Sequence, residues 1–354
     1  MTITNDTDET NEVEGSSDAR HGPQAGSSTP ARRSTQTVAS RSWDALTHVS
    51  GVFVWAGLVI LFGVLAPATF LTSTTAQSIA NDQAITVILA VGLLFPLLCG
   101  ESDMSVAQCL GLSAVVGAAL SVHLGQPTVV CIVLTLLVGA GIGIVNGLLV
   151  AYVGVNSFIT TLGASSVLLA LTALISDQQF VGPIPADAQA LASGQVLGVP
   201  KVAIYAAIVC VVAWYLIDHT PVGRRFQATG LNNEAARLSG LRTRRYVLIS
   251  FVISGLLASL AGLLVAAKIG TVSPQVGPGY LLPAFAACFL GATQIRPGRY
   301  NVGGTVLAVI LLATGVKGLQ LVGGQPWLTD LFNGVALVGA VTVAVLAQRR
   351  RSRR

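Results

Sequence analysis

Gly100-Glu101-Ser102-Asp103-Met104-Ser105-Val106 sets two carboxylates and two hydroxyls between apolar runs that together are barely long enough for two full membrane spans. A charged side chain at the centre of a bilayer-crossing helix costs roughly 2.5 to 3.5 kcal/mol on insertion scales, so it is turned toward protein or water and marks a place of function. Two arrangements suit the segment. Either it is a tight cytoplasmic turn, or the helix breaks within the membrane and offers backbone groups and helix ends to a passing polar solute. In both, Asp103 or Ser102 can cap the helix that follows, where a carboxylate also suits the positive end of the dipole. A second interruption, Gly291-Ala292-Thr293-Gln294, follows an apolar run that begins near Tyr280 and contains Pro283. A helix of about 13 residues reaches only about 20 Å, which points to a segment of partial depth buried by protein. Both interruptions follow an apolar run ending in Gly and precede a small, Val-rich helix start, a layout consistent with an internal repeat.

The elements that must position these groups are membrane helices. Hydrophobic residues make up 53% of the chain and charged ones 10%, far from the mixture that a water-exposed surface requires. Apolar stretches recur at about 50 to 66, 83 to 99, 104 to 122, 127 to 150, 157 to 175, 202 to 217, 246 to 267, 280 to 292, 302 to 322 and 328 to 347. A hydrocarbon core of roughly 30 Å takes about 20 helical residues to cross, and backbone in lipid must satisfy its own hydrogen bonds. The fold class is therefore all-α, a polytopic transmembrane bundle of about ten helices with broken or re-entrant segments.

Arginines set the orientation. Arg20, Arg32, Arg33 and Arg41 precede the first stretch, Arg224, Arg225, Arg237, Arg242, Arg244, Arg245, Arg296 and Arg299 fall in later alternate gaps, and Arg349, Arg350, Arg351, Arg353 and Arg354 follow the last. The positive-inside rule then puts both ends in the cytoplasm and favours ten spans over nine or eleven. Lys201, Lys268 and Lys317 fall outside this pattern, and Lys317 is expected to extend its ammonium to the outer interface. Residues 1–45, rich in Ser, Thr, Asp, Glu and Gly, read as a disordered cytoplasmic tail, 46–348 as the membrane domain and 349–354 as a basic cytoplasmic tail. A cleaved signal ending near Ala66-Pro67-Ala68 is disfavoured by the long polar region ahead of it and by Pro67.

The net charge of +5 has this topological cause, with no nucleic-acid-reading motif beside it. Cys99, Cys109, Cys131, Cys210 and Cys288 lie in or at the ends of apolar stretches and read as packing residues, not as disulfides or metal ligands. His21, His48, His123 and His219 are scattered, and no nucleophile, base and orienting group gather, so an enzyme is not expected. Gly139, Gly143 and Gly147 recur on one helix face and admit a second helix closely, with Asn146 expected to hydrogen-bond across that contact.

The interior gap at 219–245 contains a short helix. Asn233 is its expected cap, Glu234 lies in the first turn, Arg237 near the end, and Gly240 terminates it. Ala235, Leu238 and Leu241 give it a small apolar face. Two turns are not stable alone, so this face needs a surface, either the membrane or a soluble partner.

Gly230-Leu231-Asn232-Asn233-Glu234-Ala235-Ala236-Arg237-Leu238-Ser239-Gly240 closely resembles the cytoplasmic coupling loop of the membrane permeases of ribose-type sugar importers in the ATP-binding-cassette class. The likeness continues through Ser254 to Gly262, Gly277-Pro278-Gly279-Tyr280 and Leu290-Gly291-Ala292-Thr293. Upstream, Gly100 to Val106 is similar to that family's Gly-Gly-Ile-Asp-Leu-Ser-Val, and Asn146-Gly147 and Phe158 to Gly163 match in order, so the resemblance covers about 50 to 347.

The resemblance implies a homodimeric or pseudo-dimeric permease for a sugar or sugar-like solute in the bacterial cytoplasmic (inner) membrane. Asn233, Glu234, Ala235, Ala236, Arg237, Leu238 and Gly240 would rest in a groove on a separate cytosolic ATPase, which uses the ATP and Mg. An extracytoplasmic solute-binding protein would deliver the solute. The chain has no Gly-x-x-x-x-Gly-Lys-Ser/Thr loop of its own, and no cofactor is expected. By position, Glu101, Asp103, Ser105, Phe158, Thr161 and Thr293 are candidates to line or support the path. Glu101, Ser102, Ala107, Pro96 and Lys317 depart from the family pattern and leave the solute open, an added acid suiting a polyol, an amino sugar or another cation-bearing solute. The alternatives are an ion- or proton-coupled secondary transporter, with Glu101 and Asp103 as a relay, and a permease of the same class for nucleosides or branched-chain amino acids.

Overall fold

The computed structural model describes residues 38–352 apart from Pro297 and Pro326, with side chains from 51 to 342 apart from those two and Ala340. Residues 1–37, most of the expected tail, lie outside it, and α1 (Val38–Leu65) begins before 45, where that tail was expected to end. The chain divides at Arg41/Ser42, and all that follows concerns the unit from Ser42 onward. After α1 come α2 (Ser73–Leu98), α3 (Val106–Val122), α4 (Thr128–Leu148) with a π turn at Leu149–Val153, and α5 (Ser157–Ser176). Next are α6 (Ala186–Ala192), a hairpin of β1 (Gln195–Val196) and β2 (Val199–Pro200), α7 (Lys201–Trp214) with a π turn at Tyr215–His219, α8 (Pro221–Leu231) and α9 (Asn233–Leu238). The chain ends with α10 (Thr243–Ile269), a 3-10 turn at Pro278–Tyr280 leading into α11 (Leu281–Gly291), α12 (Val302–Leu321) and α13 (Trp327–Ser352).

Every apolar stretch is helical, and the fold is an all-α membrane bundle. Among the described residues, six helices are long and apolar enough to cross a membrane: α2, α4 with its π turn, α5, α7 with its π turn, α10 and α12. Gly51–Leu65, α3 and Pro278–Gly291 are shorter apolar helices. At 17 residues, α3 is about 25 Å long, less than a full hydrocarbon core.

Two helices form the centre. From Ala84 to Leu98 every residue of α2 is buried, as a helix that is apolar on all faces must be, and it packs against α7, α10, α11 and α12. Helix α10 fills the space between α2, α3 and α4. By contrast α4, α5 and α7 bury only 22%, 17% and 22% of their most apolar windows and form the perimeter. The glycine spacing on α4 explains its seat on α10. A Cβ at Gly143 would collide with Phe251 O and lie 2.7 Å from Val252 Cα, and one at Gly147 would lie 2.7 Å from Leu248 Cδ1. The approach is mutual, because a Cβ on Gly255 would strike Gly139 O.

Three departures from the sequence expectations concern the elements themselves. Helix α2 starts at Ser73 rather than near 83, since Thr72 caps it by accepting from Thr75 N at 3.2 Å and its first turns are polar. The gap before α7 is built as well: Val181 and Val272 exchange backbone hydrogen bonds of 3.0 and 2.9 Å, and Ile184 N donates to Gly270 O at 2.8 Å, which ties it to the end of α10. There Thr128 Oγ1 donates to Asp187, which holds that exposed carboxyl below the usual carboxylate range. Lastly, the interior loop holds α8 in addition to the short helix, opened by Thr220, which accepts from Gly223 N, and by Pro221 at the first helical position.

Candidate functional site

Gly100, at φ +81°, stops α2. Cys99 N donates to Pro96 O at 2.9 Å and Glu101 N to the same oxygen at 3.0 Å, while Pro96, inside the last turn of α2, has no N–H to give the carbonyl four residues earlier, so the helix loses one bond of its ladder just before it ends. Asp103 then turns inward and is 3% exposed. Its Oδ1 accepts from Ser105 N at 3.0 Å and from Ser105 Oγ at 2.6 Å, and its Oδ2 accepts from Ser254 Oγ of α10 at 2.7 Å. Ser105 Oγ in turn accepts from Asn146 Nδ2 of α4 at 2.8 Å. Asn146 therefore bonds to the break between α2 and α3, not across the glycine seam. The residue at the cap position of α3 is Ser105, not Asp103 or Ser102, and its own side chain makes no capping hydrogen bond. Asp103 instead anchors α10 to the break.

Helix α5 satisfies the backbone of the same break. Met104 N donates to Thr161 Oγ1 at 2.9 Å and Ser102 N to Ser157 Oγ at 3.2 Å, while Thr161 Oγ1 donates to Ser157 O at 2.8 Å. Irregular backbone among membrane helices persists only where protein supplies such partners. The structure thus brings Asp103, Ser105 and Thr161 together. Glu101 is half-buried beside them, and Phe158, on the first turn of α5, is 49% exposed. Thr293 lies in the separate turn after α11, where its hydroxyl donates to Leu290 O at 2.7 Å. Its neighbour Gln294 is buried, and its Oε1 has no hydrogen-bond partner among the described residues.

The short interior helix is α9, and its cap is Asn232, not Asn233. Asn232 Oδ1 accepts from Ala235 N at 2.9 Å, while Asn233 Oδ1 accepts from Thr243 Oγ1 at 3.0 Å and ties α9 to the start of α10. Glu234 and Arg237 form an exposed ion pair of 3.0 Å, and Gly240, at φ +85°, ends the turn as expected. Ala236 alone in this helix is buried; Ala235 is exposed and Leu238 is 80% exposed. The helix turns apolar surface away from the rest of its own chain.

Sequence reasoning missed one charged group. Lys268 Nζ of α10 lies 3.0 Å from Asp82 Oδ1 of α2 and 3.0 Å from Asn81 O. Lys317 Nζ of α12 donates to Ser78 Oγ at 2.9 Å and lies 4.0 Å from Asp82 Oδ2. Lys317 therefore reaches the polar opening of α2. The signal was Asp82 itself, hidden in the polar opening of α2. Two ammoniums share one carboxylate, so their replacements should differ in order. Asp82→Asn, which leaves like charges facing each other, is expected to lower stability by roughly 1 kcal/mol after screening at the half-exposed carboxylate. Lys317→Asn, which leaves one balanced pair, should cost less in the same thermal melt, and the reverse order would refute a shared carboxylate.

Known proteins extend these observations. The family described as branched-chain amino acid transport system / permease component matches residues 75–341. The D-allose transport system permease protein AlsC of Escherichia coli (strain K12) is 31% identical over 82% of this chain and 89% of its own length. The ribose import permease protein RbsC of Bacillus subtilis (strain 168) is 32% identical over 85% of this chain and 92% of its own. The autoinducer 2 import system permease protein LsrC of Photorhabdus laumondii is 30% identical over 80% and 86%. No solved structure matches the chain. A bundle of apolar helices around a broken segment, matched along most of its length by transport subunits, makes this chain a multi-pass membrane protein that belongs to the family of transport-system permease components.

Proposed function

We propose that the chain is the membrane subunit of an ATP-binding-cassette importer and forms the path for a sugar or sugar-like solute. The observation that carries this is α9, a helix too short to hold itself, with Leu238 and Ala235 uncovered and Leu231 beside it 79% exposed. A cytosolic ATPase covers that surface and supplies the work, using ATP and Mg. A solute-binding protein meets the opposite face, and a second copy of the chain completes the path. The chain sits in a bacterial inner membrane with both termini on the cytoplasmic side, a reading the arginine distribution supports. The ribose, allose and autoinducer 2 permeases among its relatives support sugar-like cargo.

Within the path, Asp103, Ser105 and Thr161 use their polar atoms on one another and on the backbone, so they support the wall. Glu101 and Phe158 keep exposed surface and meet the solute. Leu238→Asp and Glu234→Lys test the coupling role. Each is expected to weaken co-purification with the ATPase by roughly tenfold or more, the scale of losing a central contact, while the purified chain melts as before. Unchanged association for both variants would remove the reading. Uptake of labelled ribose and D-allose by the assembled importer in vesicles tests the cargo.

A further inference from the structure

Helix α9 reaches the helix break by two rigid routes, and we propose that the backbone contact of Gly230 with Gly100 is the part that carries an ATPase stroke to Asp103. This rests on the coupling role given above to α9.

The first route runs through α8. Gly230 lies at the end of α8, just ahead of Asn232, the cap of α9. A Cβ on Gly230 would collide with Leu98 O and lie 2.9 Å from both Cys99 C and Gly100 N. From the other side, a Cβ on Gly100 would lie 3.4 Å from Gly230 O and 3.5 Å from Gly230 Cα. Main chains this close have no side chain between them to absorb a displacement, and packed interiors transmit strain. One turn earlier, Phe226 is buried with its ring edge-on to Phe95 of α2 and Tyr246 of α10, centroids 5.8 and 5.7 Å away. Helix α8 is therefore keyed to the very end of α2, and Asp103 follows within one short turn of Gly100.

The second route runs through α10. Thr243, bonded to Asn233, opens that helix, and Ser254, roughly 16 Å along it, donates to Asp103 Oδ2 at 2.7 Å. One small helix thus grips the elements on both sides of a single carboxylate. A push on α9 shifts the end of α2 against α10, and the Ser254 to Asp103 hydrogen bond is the link that spans them. Gly230 is a positioning residue: it touches no solute and acts through Gly100.

The test uses the full chain assembled with its ATPase in lipid nanodiscs, with the native cysteines replaced by alanine and Ser102→Cys as reporter. A water-soluble thiol reagent is expected to label this position at a rate that changes several-fold, on the scale of an ordinary coupling free energy, when ATP and vanadate trap the complex. In Gly230→Ala the ATPase should still bind and hydrolyse ATP while the change in labelling is lost. Phe226→Leu, which loosens the same contact without a collision, should reduce the change partly and decides the matter if Gly230→Ala does not assemble. An ATP-dependent change of full size in an assembled variant overturns the transmission. A parent chain that binds no ATPase overturns the coupling role instead.

Discussion

Asp103→Ala is expected to destabilise the protein by about 1–3 kcal/mol for each buried donor left without its acceptor. Ser105 N, Ser105 Oγ and Ser254 Oγ all donate to this carboxylate, and with Asp103 at 3% exposure water does not replace it. Asn146 is affected next, since its partner Ser105 Oγ loses orientation. Asp103→Asn is the informative companion. Its Oδ1 still accepts from Ser105, and its amide can donate to Ser254, whose hydroxyl also accepts. The expected cost falls to about 1 kcal/mol, that of one ordinary hydrogen bond. Thermal melts of the purified chain, together with uptake, separate the possibilities. A proton relay requires the carboxyl itself, so it predicts that Asn abolishes transport while leaving the melt untouched, and that result would sink the support role.

Gly143→Ala is the second large effect. Helix propensity alone favours alanine over glycine by roughly 0.5–1 kcal/mol, yet here the added methyl would fall on Phe251 O and lie 2.7 Å from Val252 Cα, both main-chain atoms that cannot swing aside. Helices α4 and α10 must separate, at an expected net cost of about 1–3 kcal/mol for overpacking. Gly141, on the same helix with nothing within 4 Å of a built Cβ, is the control. Gly141→Ala should be neutral or slightly stabilising, and equal melting temperatures for the two variants would remove the close α4 to α10 approach.

How much of this was legible depended on whether a pattern is local. The apolar runs, the glycine period on α4 and the short helix ending at Gly240 all lie within a few turns of sequence, where period and cap residues speak directly. The beginning of α2 was not legible, because its first turns are polar and hydropathy marks lipid contact rather than helicity. Partners were not legible either. Asp103 meets Ser254, and Asp82 meets Lys268 and Lys317, through folding of distant segments that no spacing rule links. A one-residue error at the cap of α9, Asn233 for Asn232, had a physical source as well: both asparagines can cap, and Thr243 decides by engaging the second.

Helix α2 is fixed by unlike chemistry in its first half and just beyond its last turn. Near Asp82 the fastening is ionic and half-exposed, so dissolved salt that reaches it weakens it over a Debye length of about 8 Å at physiological ionic strength. Beyond Gly100 the fastening is a shielded carboxylate ringed by hydroxyl and amide donors, out of reach of dissolved ions. The rod at the heart of the bundle therefore has one bearing that salt loosens and one that it does not.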